Sequence, residues 1–229
     1  FYGGNITIQS GTPDGGTAQP ARLAAPNGKI QLASAASPGE FDAATLQPLP
    51  NMNNTSFTSV GFVSLAPGST INVSGEQTVS VRGGQFVLSV NDAVLSTAQS
   101  PGPSATILLS PGSSMISSNA GAEAGANVQL IASNVQMEGT SIQSLTTGTG
   151  EGGTISITAT LDGGPSSNTA GSVQLKGGQI QTASVGPGTV GDIQINTGSL
   201  SMTDGALIDT LLVPNPLIPG QPGGGTIAI

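Results

Sequence analysis

Apolar residues along this chain alternate with small polar ones in short bursts, and most bursts open on a glycine. The phrase Gly-x-(Ile/Val)-x-(Ile/Leu) runs as Gly4-Asn5-Ile6-Thr7-Ile8 and Gly28-Lys29-Ile30-Gln31-Leu32. It returns as Gly153-Thr154-Ile155-Ser156-Ile157, Gly171-Ser172-Val173-Gln174-Leu175, Gly191-Asp192-Ile193-Gln194-Ile195 and Gly225-Thr226-Ile227-Ala228-Ile229. Gly84-Gln85-Phe86-Val87-Leu88 is a looser copy. Alternation with period two predicts strands with one buried face. Repetition at a near-constant interval predicts strands stacked along an axis, a solenoid. An antiparallel sandwich or barrel also alternates, but the likeness of the copies favours the solenoid.

A second burst often follows the first across a glycine corner, as in Val173-Gln174-Leu175-Lys176-Gly177-Gly178-Gln179-Ile180-Gln181-Thr182. The unit is strand, corner, strand, glycine-rich turn. Gly153 and Gly171 are 18 residues apart, Gly171 and Gly191 are 20 apart, and Gly191 and Gly225 are 34 apart, as if a loop interrupted. Coils near 20 residues predict a parallel β-helix of roughly ten coils, on the order of 50 Å long at about 4.8 Å per strand. Ile155, Ile157, Val173, Leu175, Ile180, Ile193, Ile195, Leu200, Met202 and Ile208 are expected inside. Thr154, Ser156, Gln174, Gln179, Gln181 and Gln194 are expected outside, where such side chains form ladders.

Residues 1–229 read as one domain with irregular excursions at 9–27, 36–59 and 211–223. In the last, Pro214 and Pro216 keep Leu211, Leu212, Val213, Leu217 and Ile218 out of a central strand. It reads as a loop folded over the rod, with an exposed apolar patch as the other possibility.

Composition narrows the function. Only 7% of the 229 residues are charged, and 35 glycines and 16 prolines approach the low-complexity range. Paired apolar spacing and a net charge of only −8 argue for a folded chain. There is no Cys, His or Trp, so no disulfide, thiolate metal site or imidazole chemistry. Arg22, Lys29, Arg82 and Lys176 are too few and too scattered for nucleic acid. No apolar run is long enough for a membrane-spanning helix. The first residue is Phe with no signal pattern behind it, so the sequence reads as a mature chain or a fragment.

Four phrases carry a family resemblance: Gly3-Gly4-Asn5-Ile6-Thr7-Ile8, Ala25-Pro26-Asn27-Gly28-Lys29-Ile30-Gln31-Leu32-Ala33-Ser34, Ala36-Ser37-Pro38-Gly39-Glu40 and Arg82-Gly83-Gly84-Gln85-Phe86. With tandem units such as Gly188-Thr189-Val190-Gly191-Asp192-Ile193-Gln194-Ile195, they make nearly the whole chain resemble the large exoproteins similar to filamentous haemagglutinin, exported by two-partner secretion in Gram-negative bacteria. The resemblance implies a right-handed parallel β-helix at the cell surface or outside the cell, acting as an adhesin, haemagglutinin or toxin carrier. It implies host or neighbouring-cell glycans or proteins as partners, and an outer-membrane export partner for a full-length chain. The family's amino-terminal export domain is not visible in the sequence, so no export-partner residues carry over, and the family offers no catalytic motif.

Some β-helices are polysaccharide lyases or hydrolases, and acid pairs would be their mark. Glycoside hydrolysis needs two carboxylates about 5–9.5 Å apart. Glu40/Asp42 read as a solvated turn in an insertion, and Asp204 before Gly205 reads as turn chemistry, leaving Asp209 without a partner. Asp192 reads as a strand-edge surface charge, and Arg82 as a partner of Glu76. Asn5, Asn53, Asn54 and Asn72 head formal glycosylation triplets expected by chance in a chain rich in Asn, Ser and Thr. No cofactor or metal is expected. The bursts holding Ile6/Ile8 and Ile227/Ile229 lack polar caps, and bare strand edges invite pairing. Those four residues are the expected contacts for head-to-tail self-association or for further coils. The reading is a secreted, non-catalytic structural or adhesive rod. A carbohydrate-active enzyme, or a sheath or coat filament subunit, stands as the alternative.

Overall fold

The computed structural model describes residues 2–3, 5–25, 29–34, 62–73, 85–90, 106–122, 124–159, 171–213 and 223–229. Its strands come in threes. The first set is β1 (Tyr2–Gly3), β2 (Ile6–Ile8) and β3 (Arg22–Ala24), the second β4 (Lys29–Ser34), β5 (Phe62–Leu65) and β6 (Thr70–Asn72). Next come β7 (Gln85–Val90), β8 (Thr106–Leu109) and β9 (Ser114–Asn119), then β10 (Val128–Ala132), β11 (Asn134–Glu138) and β12 (Ser141–Thr146). The last sets are β13 (Ile155–Ala159), β14 (Ser172–Lys176) and β15 (Gln179–Ser184), β16 (Ile193–Thr197), β17 (Ser199–Thr203) and β18 (Leu207–Leu212), and finally β19 (Ile227–Ala228).

The protein is all-β, with three parallel sheets and, among the described residues, one short 3-10 turn at Pro13–Gly15 as its only helical piece. Every strand pairs with the third strand before or after it. The first sheet runs β1-β4-β7-β10-β13-β16-β19, the second β17-β14-β11-β8-β5-β2 and the third β18-β15-β12-β9-β6-β3. Successive strands thus join the three sheets in rotation. Parallel strands need long connections, and here paired positions in a sheet are between 27 and 57 residues apart, as for Val128 and Ile155 and for Ile6 and Val63.

Period-two alternation places the side chains. Ser114–Asn119 and Ser141–Thr146 alternate strictly between partly exposed and buried. Rows of apolar residues run through the stack, such as Val63, Ile107, Val135 and Val173 in the second sheet. All four are at most 1% exposed. Of the expected inner residues, Ile155, Ile157, Val173, Leu175, Ile180, Ile193 and Ile195 are buried. Leu200 and Ile208 are half-buried and Met202 is 41% exposed, because they lie on the edge strands β17 and β18. The expected outer residues Gln174 and Gln194 are exposed, and Thr154, Ser156, Gln179 and Gln181 half-exposed.

The period read from the sequence needs correction. The phrases at Gly153 and Gly191 lead into β13 and β16 of the first sheet, but the phrase at Gly171 leads into β14 of the second. One phrase serves two different corners. Each glycine marks a close backbone approach: a Cβ on Gly153 would run into the carbonyl of Ala126, and one on Gly171 into those of Ser133 and Ala159. The 34-residue step that looked like an interruption is one full return, since Ile193 pairs with Ile227. The largest sheet therefore holds seven described strands rather than roughly ten, a stack about 30 Å high at about 4.8 Å per strand.

Two expected excursions also shrink. Within 9–27, Gly11 bridges Gln19 and Arg22–Ala24 forms β3 against β6. Of 211–223, Leu211 and Leu212 complete edge strand β18 beside Ala183 and Ser184. Residues 214–222 and the excursion 36–59 lie outside the described residues.

Candidate functional site

Of the candidate acids among the described residues, Asp204 lies in a turn and Asp209 on a strand. Asp204 has φ 55° and precedes Gly205 with φ 73°, in the exposed turn between β17 and β18. It takes a left-handed conformation that aspartate tolerates better than most residues. Asp209 sits on the outer face of β18, where Gln181 Nε2 donates to its Oδ2 at 3.4 Å. Glu40, Asp42, Arg82 and Glu76 lie outside the described residues, as do Asn53 and Asn54. Among the described residues, no group of three or more His, Cys, Asp or Glu could hold a metal ion, and no helix is long and apolar enough to cross a membrane.

Two polar residues have structural work that sequence reading missed. Asp192 Oδ1 accepts from the N–H and the hydroxyl of Thr226, at 2.8 and 2.9 Å. It therefore anchors the next strand rather than standing as a free surface charge. Asn5 Oδ1 accepts from the Phe62 N–H at 3.2 Å and joins β2 to β5. The acidic residue before an apolar burst was the visible signal, and its partner one full return later was not.

The interior is not uniformly apolar. Ser117, Ser144 and Thr182 form a buried row in the third sheet, and Asn119, Thr146 and Ser184 a second. Ser117 Oγ donates to the Ala126 carbonyl at 2.9 Å, and Thr182 Oγ1 to that of Gly191 at 2.7 Å. These hydroxyls satisfy the backbone of the segments returning to the first sheet. At another corner, Thr140 Oγ1 donates to the Leu109 carbonyl at 3.1 Å and lies 3.5 Å from Ser113 Oγ.

The remaining candidates are the ends of the stack. Ile6 and Ile8 are half-buried on edge strand β2 of the second sheet. Ile227 is 43% exposed on edge strand β19 of the first sheet, and Ile229 just beyond it is 72% exposed. The two pairs lie at opposite ends of the strand order and in different sheets. Ile6 and Ile8 therefore share their rows with Leu200 and Met202 of β17, through Val63, Ile107, Val135 and Val173 for the first and Leu65, Leu109, Met137 and Leu175 for the second. Among the described residues no strand pairs with the outer edges of β1, β2, β3, β17, β18 or β19. Such edges present backbone donors and acceptors to an added strand.

Charge adds little. Lys176 Nζ lies 2.9 Å from Glu138 Oε1 on the neighbouring strand, and both side chains are more than half exposed. The Glu138 hydrogen bond, then its charge, then that of Asp204, raise the Lys176 pKa above its ordinary 10.5. No protein family, curated protein or solved structure matches this chain.

Proposed function

We propose that the three sheets are the faces of a right-handed parallel β-helix, and that the protein is a non-catalytic structural or adhesive rod at a bacterial surface. The observation that carries this reading is the rotation of strands through the three sheets in fixed order, with apolar rows running between them. A stack whose layers contact only their neighbours is suited to spanning and displaying. Its faces present short uncharged side chains, among them Gln136, Gln174 and Ser201 in one outward row.

The extracellular setting, the export partner and a target on neighbouring cells rest on the four phrases that resemble the haemagglutinin-like exoproteins. Handedness rests on the same resemblance. The non-catalytic part rests on residue chemistry, since the chain has no His or Cys and only four basic residues.

Electron cryomicroscopy of the chain fused to a rigid carrier tests the architecture, and a three-sided right-handed coil is expected. A flat two-layer sandwich would sink it. Beads coated with the chain should bind cells or a glycan array without shortening soluble polysaccharides. Depolymerisation of any acidic or neutral polysaccharide would move the reading to an enzyme.

A further inference from the structure

The second sheet carries a line of exposed side chains across its outer face. Phe62 is 40% exposed and Leu108 is 39% exposed. They are diagonal neighbours, since Phe62 pairs with Thr106, two residues before Leu108. Gln136 lies beside Leu108 on the next strand, Gln174 beside Gln136, and Ser201 beside Gln174. The line therefore crosses the strands, with one group about every 4.8 Å. Its start is fixed, because the Phe62 N–H donates to Asn5 Oδ1 at 3.2 Å. Gln136 and Gln174 are exposed, and among the described residues no hydrogen bond holds either side-chain amide. Other surface amides are engaged: Gln181 donates to Asp209, and Asn134 accepts from Ser172 Oγ at 2.8 Å. The charged neighbours Glu138 and Lys176 pair with each other at 2.9 Å, so the outer rows of this sheet carry no net charge.

We infer that this line is a binding track for a neutral polysaccharide, which lies along the stack with a sugar ring on Phe62 and Leu108 and its hydroxyls on Gln136, Gln174 and Ser201. This rests on the non-catalytic adhesive reading given above, and names its ligand class and its face. A pyranose ring has an apolar C–H face and a rim of hydroxyls. The C–H face packs on an aromatic ring and a leucine. A primary amide sets a donor and an acceptor side by side, which two neighbouring hydroxyls match. An acidic polymer needs cations, and the one lysine of these rows is already paired. A protein partner is anchored on several aromatics and arginines, and these rows hold one aromatic and no arginine. The groups form a line and not a pocket. Single contacts are therefore weak, and a long chain gains by making many.

Soluble neutral glucans, mannans and galactans of graded length, with polygalacturonate as the acidic control, test this by affinity electrophoresis. At least one neutral series should bind, more tightly as its chains lengthen, and polygalacturonate should not. Phe62→Ala and the double variant Gln136→Ala/Gln174→Ala should each weaken binding about tenfold. Phe62→Tyr should retain it, and Gln143→Ala on the third sheet should change nothing. All these side chains are partly or fully exposed, so circular dichroism should match the parent. Failure of every neutral series, binding of polygalacturonate alone, or binding unchanged in both alanine variants would overturn the track. If coated beads bind cells while every neutral series fails, the track falls and the adhesive reading stands. If a bound glycan is shortened and Phe62→Ala still weakens its binding, the track stands and the non-catalytic reading falls.

Discussion

Asp192 Oδ1 and Thr226 are joined by two hydrogen bonds across 34 residues, one to the backbone N–H and one to the hydroxyl. The same row holds Asn127, whose Oδ1 accepts from the Thr154 N–H at 2.8 Å. Carboxylate and amide oxygens at these corners fix where the next strand of the first sheet begins. Aspartate here acts as a clamp for β19, a strand of only two residues.

Asp192→Ala should loosen β19 without unfolding the stack. A charged acceptor bond contributes about 1.5–3 kcal/mol when shielded, and less at an exposed site such as this. Hydrogen exchange at Ile227 and Ala228 should quicken several-fold while that at Ile157 and Val173 stays unchanged.

Two buried threonines should respond in opposite directions to valine. Thr140 Oγ1 has acceptors at the Leu109 and Glu138 carbonyls, both at 3.1 Å. Its loss should cost about 1–2 kcal/mol in denaturant unfolding. Thr146 Oγ1 is buried with no hydrogen-bond partner. Thr146→Val removes a desolvated polar group and should be neutral or stabilise by about 1 kcal/mol.

Two glycines with similar backbones should differ in tolerance. Gly178 has φ 75° and Gly205 has φ 73°. A Cβ on Gly178 would come within 2.5 Å of the Thr140 backbone nitrogen, whereas one on Gly205 meets nothing within 4 Å. Gly205→Ala should cost about 1–2 kcal/mol for the left-handed conformation alone. Gly178→Ala should cost about 2–4 kcal/mol, because the clash adds to the strain. Thermal unfolding of the two variants checks the order.

Among the described residues, Lys176 gives the one pH signature. Its pKa is raised, so the pairing is fully present below the ordinary 10.5 and is lost as pH rises through the raised value. Both partners are exposed, and no measurable change in overall stability is expected. Titration of the Lys176 side-chain resonance should show a pKa above 10.5 that falls back in Glu138→Gln.

The strands of this fold were legible because their signal is local. Ile155 and Ile157 flank Ser156, and alternation alone marks the inner face. The number of levels was not legible, because Gly153 and Gly171 look alike in sequence while serving different sheets. The inner rows of Ser117, Ser144 and Thr182 were hidden for a similar reason. Small polar residues usually face water, and here the hydroxyls of Ser117 and Thr182 are consumed by backbone carbonyls that only the third dimension brings near. The end residues Ile6, Ile8, Ile227 and Ile229 were visible as uncapped apolar pairs. The rows they belong to, those of Leu200 and Met202 for the first pair, required the register of whole sheets.

The rotation of strands through three sheets leaves no strand beside its neighbour in sequence. Among the described residues the one antiparallel contact is the Gly11–Gln19 bridge, so the three sheets themselves offer no hairpin to fold around. The chain's shortest returns, about the 27 residues that separate Ser113 from Thr140, must close before any ladder forms, and loop closure of this kind makes folding slow. Returns this short join β8 to β11, β9 to β12 and β10 to β13, and again β14 to β17 and β15 to β18, so either place can serve as the nucleus. Once it stands, each further strand is laid on a finished edge. The polypeptide can stay open for as long as no template exists, and then fold by accretion in both directions.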